Sequence, residues 1–317
     1  MKIEIVYNCL EGDKIVGKTP LEWMKEGLKE IEGESSLYIL KVDNAMPLLD
    51  RAFLVRVVGL INKRGLDCAI LGGGRLERKY AKNGKTVVLA SVEGGTLGGR
   101  DENEIVERLY FRSAMKLKDE GVKIVSPEKT FIEGSVKIGK DSVIFPFTRI
   151  SGNTEIGEGC EIGCFCEIED SVLSDGVKVS ASQIRYSRVG KNTRVGPYAY
   201  LRDGADIGEG CRIGDYVEIK SSRVEDGVKA AHHAYVGDAS VGRGTNVGCG
   251  VVFCNYDGKT KRRITVGENV FIGSNVNLVA PLAIGDNVYI AAGSTVTKDV
   301  ESDSFVIARE RETVKKR

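Results

Sequence analysis

Aliphatic residues recur at every sixth position over roughly the last two thirds of the chain, from Ile132 to Val300. Hexads that begin at Ile138 run IGKDSV, IFPFTR, ISGNTE, IGEGCE and IGCFCE, and further runs begin at Val189 and Ile272. The first position is Ile, Val or Leu, the second is often Gly, and the fifth is small. A period of six fits neither an α-helix nor a strand that alternates between two sides.

This period predicts a short strand followed by a tight corner, repeated three times in each coil of about eighteen residues. The first and fifth residues of each hexad would face the inside of a narrow prism. Roughly nine to ten coils would stack about 4.8 Å apart, joined by ladder hydrogen bonds. The pattern resembles the hexapeptide-repeat proteins, whose coils are left-handed. The resemblance implies a mainly β fold, a left-handed parallel β-helix.

Three segments interrupt the hexads. Ser171–Val179 and Gln183–Arg188 are expected to carry extra residues in bulged corners. The segment Cys254–Arg263 (CNYDGKTKRR) is polar and contains an Asp-Gly turn signal between two regular runs. It is predicted to be a loop extruded from the prism, and loops held on a rigid scaffold are frequent sites of function.

The first part of the chain has a different pattern, in which short apolar runs alternate with helical spacing. Strands are predicted at Leu37–Leu40 and Leu66–Leu71, and helices at Pro20–Ile31 and Ala52–Asn62. A longer helix is predicted at Asn103–Glu120. This order favours a small α/β domain before the β-helix. The predicted domains are an α/β domain at 1–102, a linker helix at 103–125, the β-helix at 126–303 and a tail at 304–317.

Charge and composition exclude several partners. The 46 basic and 45 acidic residues nearly cancel, so the chain has no general attraction to nucleic acid or to an anionic membrane. Its apolar stretches are far shorter than a membrane span. The start, MKIEIVYN, lacks the basic and apolar regions of a signal peptide, so a cytoplasmic protein is expected.

The cysteines do not suggest a metal site. The closest group is Cys160, Cys164 and Cys166, which lacks a fourth ligand at zinc-site spacing. Cys160, Cys166 and Cys211 all fall on the small fifth position of a hexad. They are therefore predicted to be small buried hydrophobic residues, and no bound metal is expected.

The chain has only two histidines, His232 and His233, which are neighbours. In the hexad frame Ala230 and Ala234 face inward, so both histidines should lie outside the prism. They could be two surface residues, or one of them could act as a general base near neutral pH. Hexapeptide-repeat zinc carbonic anhydrases need three histidines from separate turns, which this pair does not supply.

Basic residues are scattered over the β-helix and allow two interpretations. They could form a solvated face, or they could gather around an outward histidine as an anion pocket. Sequence spacing alone does not decide between the two. These residues are Arg202, Lys220, Lys229, Lys261, Arg262 and Arg263.

The stretch Val195–Arg309 resembles one family closely. It is the family of bacterial bifunctional enzymes that make UDP-N-acetylglucosamine, in which an N-acetylglucosamine-1-phosphate uridyltransferase precedes a glucosamine-1-phosphate N-acetyltransferase. The segments that carry the resemblance are VGPYAYLRDGA, IGDYVEIKSS, KAAHHAYVGDASVG, NVGCGVVFCNYDGKTK, VFIGSNVNLVAPLAIG and IAAGSTVTKDV.

The resemblance implies roles for single positions. His232 matches the catalytic base, which takes a proton from the amine of glucosamine 1-phosphate as that amine attacks acetyl-CoA. Asn255 matches a residue that contacts the reacting groups. The residues that match sugar-phosphate contacts are Arg202, Lys220, Tyr235, Asn246 and Lys261. The residues that match acetyl-CoA contacts are Cys249, Tyr256, Ser274, Ala292 and Arg309.

The chain also departs from the family. His233 replaces an aliphatic residue and Cys249 a small one, often Ala. The first 130 residues lack the glycine-rich G-x-G-T-R-M loop of the uridyltransferase and are much shorter than that domain. Asp43 is the nearest match to its metal-binding Asp. The resemblance therefore implies a shortened, degenerate nucleotidyltransferase-like domain that caps the first coil, with Mg²⁺ bound only if its site still works.

The activity that the resemblance implies is acetyl transfer from acetyl-CoA to glucosamine 1-phosphate, for UDP-N-acetylglucosamine and cell-wall precursor synthesis. Members of the family are homotrimers with sites built from neighbouring subunits. Three alternatives stay open: an acetyltransferase for another amino-sugar phosphate, a non-catalytic sugar-nucleotide-binding or scaffold protein, and a reduced UDP-N-acetylglucosamine pyrophosphorylase.

Overall fold

The computed structural model describes residues 4–7, 39–42, 68–72, 75–77, 87–90 and 102–315. The chain divides into two compact units, Met1–Ser113 and Ala114–Arg317. Among the helices of the described residues, none combines the length and the apolar character needed to cross a membrane.

The first unit contains a five-stranded sheet. Its strands are β1 (Glu4–Tyr7), β2 (Ile39–Val42), β3 (Cys68–Gly72), β4 (Arg75–Glu77) and β5 (Val87–Ala90), in the order β1-β2-β5-β3-β4. All pairs are parallel except β3 and β4. The two predicted strands overlap β2 and β3.

One long helix follows this sheet. Helix α1 (Glu102–Asp119) confirms the helix predicted at Asn103–Glu120. The helices predicted at Pro20–Ile31 and Ala52–Asn62, and Asp43 with them, lie outside the described residues.

The rest of the chain is a left-handed parallel β-helix of about ten turns, which confirms the predicted fold class. A short 3-10 helix at Pro127–Lys129 follows the first strand, and successive strands lie on three faces in turn. The first face has eleven strands: β6 (Lys123–Ile124), β9 (Val143–Ile144), β12 (Glu161–Ile162), β15 (Lys178–Val179), β18 (Arg194–Val195), β21 (Arg212–Asp215), β24 (Lys229–His232), β27 (Asn246–Val247), β30 (Phe271–Ile272), β33 (Tyr289–Ile290) and β35 (Phe305–Val306).

The second face has ten strands: β7 (Phe131–Ile132), β10 (Arg149–Ser151), β13 (Glu167–Glu169), β16 (Gln183–Arg185), β19 (Tyr200–Arg202), β22 (Glu218–Lys220), β25 (Tyr235–Gly237), β28 (Val252–Cys254), β31 (Asn277–Val279) and β34 (Thr295–Val296). The third face has nine: β8 (Lys137–Ile138), β11 (Glu155–Ile156), β14 (Val172–Leu173), β17 (Arg188–Val189), β20 (Asp206–Ile207), β23 (Arg223–Val224), β26 (Ala239–Val241), β29 (Ile264–Val266) and β32 (Leu282–Ile284).

The strands of the prism point apolar side chains inward, nearly all of them aliphatic, as the hexads predict. On the second face this column is formed by Ile132, Ile150, Ile168, Ile184, Leu201, Ile219, Val236, Phe253, Leu278 and Val296, all buried. The stacking extends from Lys123 to Val306, beyond both ends of the range Ile132–Val300 expected from the hexads.

The cysteines at the fifth hexad position are buried, as predicted: Cys160, Cys166 and Cys211. Burial raises the pKa of all three thiols, in Cys166 to about 11, which makes them poor nucleophiles at neutral pH.

The expectation of extra residues at Ser171–Val179 and Gln183–Arg188 is wrong, because these corners are shortened. Glu167 pairs with Gln183, sixteen positions later, where a regular coil would need about eighteen. The serines after these corners explain how they close. The hydroxyls of Ser171, Ser182 and Ser187 each donate to the carbonyl oxygen two residues earlier, at 2.7, 2.6 and 2.7 Å.

The segment Cys254–Arg263 is extruded from the prism, as predicted. Ala239 pairs with Ile264, so this coil is much longer than its neighbours. The extra residues, here called the extruded loop, form a small hairpin with an antiparallel bridge between Tyr256 and Lys261. The Asp257 carboxylate accepts hydrogen bonds from the backbone N–H groups of Lys259 and Thr260 at 2.8 and 2.7 Å.

Candidate active site

His232 lies at the last position of β24 with its side chain exposed on the first face, as predicted. Its Nδ1 is 2.7 Å from Oδ1 of Asp215, the last residue of β21. The two residues are direct partners in the ladder between these strands. A carboxylate that contacts Nδ1 leaves Nε2 directed away from the protein, where a general base needs it.

His233 belongs to a different surface, the corner between the first and second faces. Its ring stacks on Tyr216 with a centroid distance of 4.8 Å, and Tyr216 stacks on Tyr198 at 5.4 Å. All three residues have positive φ angles, of 45°, 54° and 58°. The side chain of His233 is therefore the last ring of an exposed aromatic column, and of the two imidazoles only that of His232 bonds to the carboxylate of Asp215.

Three of the expected acetyl-CoA contacts lie beyond His232 in one column of the first face. The backbone N–H groups of Gly250, Asn275 and Gly293 donate to the carbonyl oxygens of His232, Cys249 and Ser274. These bonds stack the coils so that each residue of the column follows the one before it along the prism axis. The column consists of His232, Cys249, Ser274 and Ala292.

The coils pack closely against one another beside this column. A Cβ atom added at Gly248 or Gly273 would lie 2.7 or 2.5 Å from backbone atoms of the next coil, so only glycine fits there. Arg309 lies near the far end, where its Cδ would be 3.7 Å from a Cβ added at Gly293. Four coil steps separate His232 from Arg309, about 19 Å at the usual strand spacing.

Three expected sugar-phosphate contacts lie at the end of the second face. Arg202 pairs with Lys220 in the ladder between β19 and β22, and Lys220 pairs with Gly237 in the ladder between β22 and β25. Arg202 pairs with Glu218 at 2.7 Å and with Asp203 at 2.6 Å. Lys261 of the extruded loop adjoins Lys220, whose ammonium group lowers the pKa of Lys261. Two adjacent ammonium groups favour an anion between them.

Asn255 is fixed at the base of the extruded loop. It is 6% exposed, and its Nδ2 donates to Oδ2 of Asp238 at 2.5 Å and to the Tyr235 hydroxyl at 3.4 Å. A Cβ added at Gly237 would lie 2.3 Å from that hydroxyl. Tyr256 takes no part in these contacts, since its exposed hydroxyl donates to the carbonyl oxygen of Gly258 at 2.7 Å.

The expected site residues form two sets on different faces. His232 and Asn246 belong to the first face, where Asn246 pairs with Lys229 and Phe271. The cations belong to the second face and the extruded loop. Within the described part of the chain, no hydrogen bond or ion pair joins the two sets, and no group of three or more metal-ligating side chains occurs.

The sequence interpretation missed Asp215 and Asp238. Asp215 precedes His232 by seventeen positions, and Asp238 precedes Asn255 by the same number. Both pairs therefore join adjacent coils. The sequence signal for each pair is a polar residue one coil before its partner. It can be recognised only when the length of each coil is known.

The turn of the extruded loop should open at low pH. The backbone N–H groups of Thr260 and Lys259 lower the pKa of Asp257. A lowered pKa in the folded protein means that the stabilisation is present above the unfolded value and is lost as the pH falls through the folded value. We expect Asp257→Ala to speed amide exchange at Lys259 and Thr260 near neutral pH, measured by hydrogen exchange.

The matched control for that change is Lys259→Ala, which keeps both backbone donors and should keep their protection. Equal exchange rates in Asp257→Ala and in the unaltered protein would show that the carboxylate does not hold the turn.

Comparison with known proteins gives a consistent result. The family model of the bacterial transferase hexapeptide (six repeats) matches residues 135–170, 186–221 and 263–298. Bifunctional protein GlmU of Clostridioides difficile (strain 630) is 42% identical over 263 residues, 83% of this chain and 54% of the relative. GlmU of Clostridium novyi (strain NT) is 47% identical over 209 residues, 66% and 46% of the two chains.

Other matches extend further along the chain. GlmU of Alkaliphilus oremlandii (strain OhILAs) is 42% identical over 292 residues, 91% of this chain and 60% of the relative. The chain thus spans about half the length of these relatives. Among solved structures, a UDP-N-acetylglucosamine acyltransferase from Campylobacter jejuni covers 56% of this chain and 68% of its own, at 15% identity and a TM-score of 0.40. That likeness is too weak to inform the site.

Proposed function

Because the chain is a hexapeptide-repeat homologue of the bifunctional GlmU proteins, we propose that it transfers the acetyl group of acetyl-CoA to the amine of glucosamine 1-phosphate. The products are N-acetylglucosamine 1-phosphate and free coenzyme A. The observation that carries this proposal is the outward His232, held through Nδ1 by Asp215 at 2.7 Å at the start of the column that Cys249, Ser274 and Ala292 continue.

The chemistry needs one base and no covalent enzyme intermediate. Nε2 of His232 takes a proton from the amine as its nitrogen attacks the thioester carbon. The C–N bond forms, the C–S bond then breaks, and coenzyme A leaves as a thiol after it receives a proton. The substrate amine is itself the nucleophile, so the step needs no enzyme thiol. The exposed thiol of Cys249 lies one coil from the base.

The column on the first face suits the pantetheine arm of acetyl-CoA. It leads from His232 past Cys249, Ser274 and Ala292 to Arg309, a distance comparable with that extended arm. The Arg309 guanidinium at the far end would pair with the phosphates of the cofactor.

The cations of the second face suit a sugar phosphate. Arg202, Lys220 and Lys261 present donors to a dianionic phosphate ester, and Tyr235 lies beside them with Asn255. His232 and Asn246 lie on the first face, so we propose a homotrimer in which a neighbouring copy brings the two sets together. We further expect the protein to act in the cytoplasm, where these substrates are made.

Loss of one of the paired lysines should weaken binding of the sugar phosphate selectively. A hydrogen bond to a charged group contributes about 1.5–3 kcal/mol. Lys261→Met is therefore expected to raise the KM for glucosamine 1-phosphate by roughly tenfold or more, with little change in the KM for acetyl-CoA. Steady-state kinetics with each substrate varied in turn measures both constants.

Lys259→Met is the matched control, since Lys259 lies in the same loop with an exposed side chain. Equal KM values for the two variants would argue against a phosphate contact at Lys261.

A paired assay tests the proposed function. Purified protein receives acetyl-CoA with glucosamine 1-phosphate, and free thiol is followed. A second reaction receives UTP, Mg²⁺ and N-acetylglucosamine 1-phosphate, and pyrophosphate is followed. Thiol release that requires the sugar supports the proposal. Pyrophosphate release alone would favour a nucleotidyltransferase, and thiol release only with another amino-sugar phosphate would change the substrate. No turnover with binding of either ligand would favour a non-catalytic role.

A further inference from the structure

The ladder between β21 and β24 continues to the ends of both strands, where Asp215 pairs with His232. On the basis of the proposed function, we propose that Asp215 is the positioning residue for His232. Its carboxylate would hold the imidazole in the tautomer with hydrogen on Nδ1, so that Nε2 is free to take the proton of the substrate amine.

Three contacts fix the geometry of this pair. Asp215 Oδ1 lies 2.7 Å from Nδ1 of His232, and the Asp215 carbonyl oxygen accepts the backbone N–H of His233 at 3.0 Å. The next residue of each strand continues the link, because Tyr216 and His233 stack at 4.8 Å. The backbone bond and the ring contact thus hold the two strand ends side by side and keep the carboxylate within reach of the imidazole, which is the support that a reactive side chain needs.

The charge state of Asp215 decides the tautomer. Burial raises the pKa of its carboxyl group, but hydrogen bonds from its own backbone N–H and from His232 lower the pKa by more, so that it stays below the ordinary value. An ionised carboxylate only accepts hydrogen bonds. The proton of a neutral His232 must therefore lie on Nδ1, and the carboxylate would also stabilise the imidazolium that forms when Nε2 takes a second proton.

Another acid of the neighbourhood is already engaged. Glu218, three positions after Asp215, accepts hydrogen bonds from Arg202 at 2.7 Å. The side chain of Arg202 also pairs with Asp203. The structure therefore assigns the orientation of His232 to Asp215 rather than to Glu218.

The other titratable groups near the pair do not replace this role. Arg212 and Lys229 begin the same two strands and are ladder partners of each other. Cys249 lies on the next coil beside His232, and Tyr216 and His233 occupy the adjacent corner. Of these neighbours, the cations carry the wrong charge to accept from Nδ1, and within the described part of the chain the remaining three make no hydrogen bond to the His232 ring.

The presence of only two histidines makes a direct test possible. Nitrogen-15 NMR of the full chain reports the tautomer of each imidazole without substrate, so its result does not depend on the proposed function. We expect His232 to carry hydrogen on Nδ1 in the unaltered protein. We expect the tautomer to change in Asp215→Ala, whereas Asp206→Asn, a carboxylate removed from the third face, should leave the spectrum unchanged.

Kinetics provide the second measurement, provided that the unaltered protein transfers acetyl groups. Loss of a group that orients a reactive residue commonly costs about tenfold to a hundredfold. We expect Asp215→Asn to lower kcat/KM by this factor and to move the acid limb of its pH profile to lower pH, because a neutral amide no longer stabilises the imidazolium. Asp215→Glu should restore part of the rate.

Two results would overturn the proposal. One is hydrogen on Nε2 of His232 in the unaltered protein. The other is wild-type kcat/KM, with an unmoved acid limb, in both Asp215→Asn and Asp215→Ala. A protein without any acetyl transfer would instead contradict the proposed function, and the NMR measurement would still decide the role of Asp215.

Discussion

His232→Ala is expected to lower acetyl transfer to glucosamine 1-phosphate by at least about a hundredfold, the lower range for loss of a general base. The imidazole is exposed and belongs to no core contact, so its removal leaves the prism intact. Thiol release from acetyl-CoA measures the rate, and the melting curve and oligomeric state of the variant show that the fold is retained.

His233→Ala is the matched control for this change. The two histidines are adjacent, but the ring of His233 stacks on Tyr216 in the corner and makes no hydrogen bond to the Asp215 carboxylate. We expect the control to stay within a few-fold of normal turnover. Near-normal turnover in His232→Ala, or an equal loss in both variants, would remove the role assigned to His232.

The same kinetics also test whether His232 acts in the chemical step or in the binding of the substrates. In His232→Ala the cations and the column from Cys249 to Arg309 are unchanged, so both KM values should move little while kcat falls. A large rise in the KM for glucosamine 1-phosphate would instead place His232 in the binding of the sugar.

Much of the fold could be predicted because the hexad pattern records which residues face inward. Ile168, Ile184 and Phe253 all occupy the inward position of a short strand. The pattern says less about corners, since a corner is closed by local hydrogen bonds that the period does not contain. The hydroxyl of Ser182 closes a shortened corner by donating to the carbonyl oxygen of Ser180. The hexad period does not indicate whether such a corner is shorter or longer than usual.

The candidate site was predictable to a similar degree. An outward His232 and an extruded loop follow from positions that leave the hexad rule. Asp215 and Asp238 do not follow, because each acts on a residue of the next coil and coil length changes along the chain. Glu167 and Gln183 are partners sixteen positions apart, whereas Ala239 and Ile264 are partners across the extruded loop. Contacts between coils therefore need the structure.

The β-helix separates stability from chemistry. Side chains that point inward are aliphatic or small and set the stacking, whereas each outward position can change without disturbing the core. Two kinds of outward residue occur along the first face. Charged residues such as Arg212 precede His232, and the aromatic residues Phe271, Tyr289 and Phe305 follow Asn246. His232, the proposed base, thus lies where the outer surface changes from cationic to apolar.

Phe253→Ala is expected to be the most destabilising single change considered for the core, with a loss of about 3–5 kcal/mol. Among the residues whose burial the structure describes, Phe253 is the largest fully buried side chain, and it is 0% exposed. Its inward neighbours on the second face are Val236 and Leu278, which are too small to fill the space of a lost phenyl ring. The midpoint of urea unfolding measures the effect.

Val252→Ala provides the control within the same strand. Val252 points outward and is 36% exposed, so its truncation should change stability by no more than about 0.5 kcal/mol. Equal midpoints for the two variants would mean that the ring of Phe253 does not support the prism at this coil.

The position of Phe253 links this stability to the site. The backbone N–H of Asn255 donates to the carbonyl oxygen of Phe253 at 2.8 Å, so the extruded loop starts directly from the buried ring. Repeat proteins lose stability coil by coil. We therefore expect hydrogen exchange in Phe253→Ala to accelerate first in β28 and at Asn255, with distant coils such as that of Ile150 protected longer. Uniform acceleration along the prism would show instead that the β-helix unfolds as one unit and that the loop has no local dependence on Phe253.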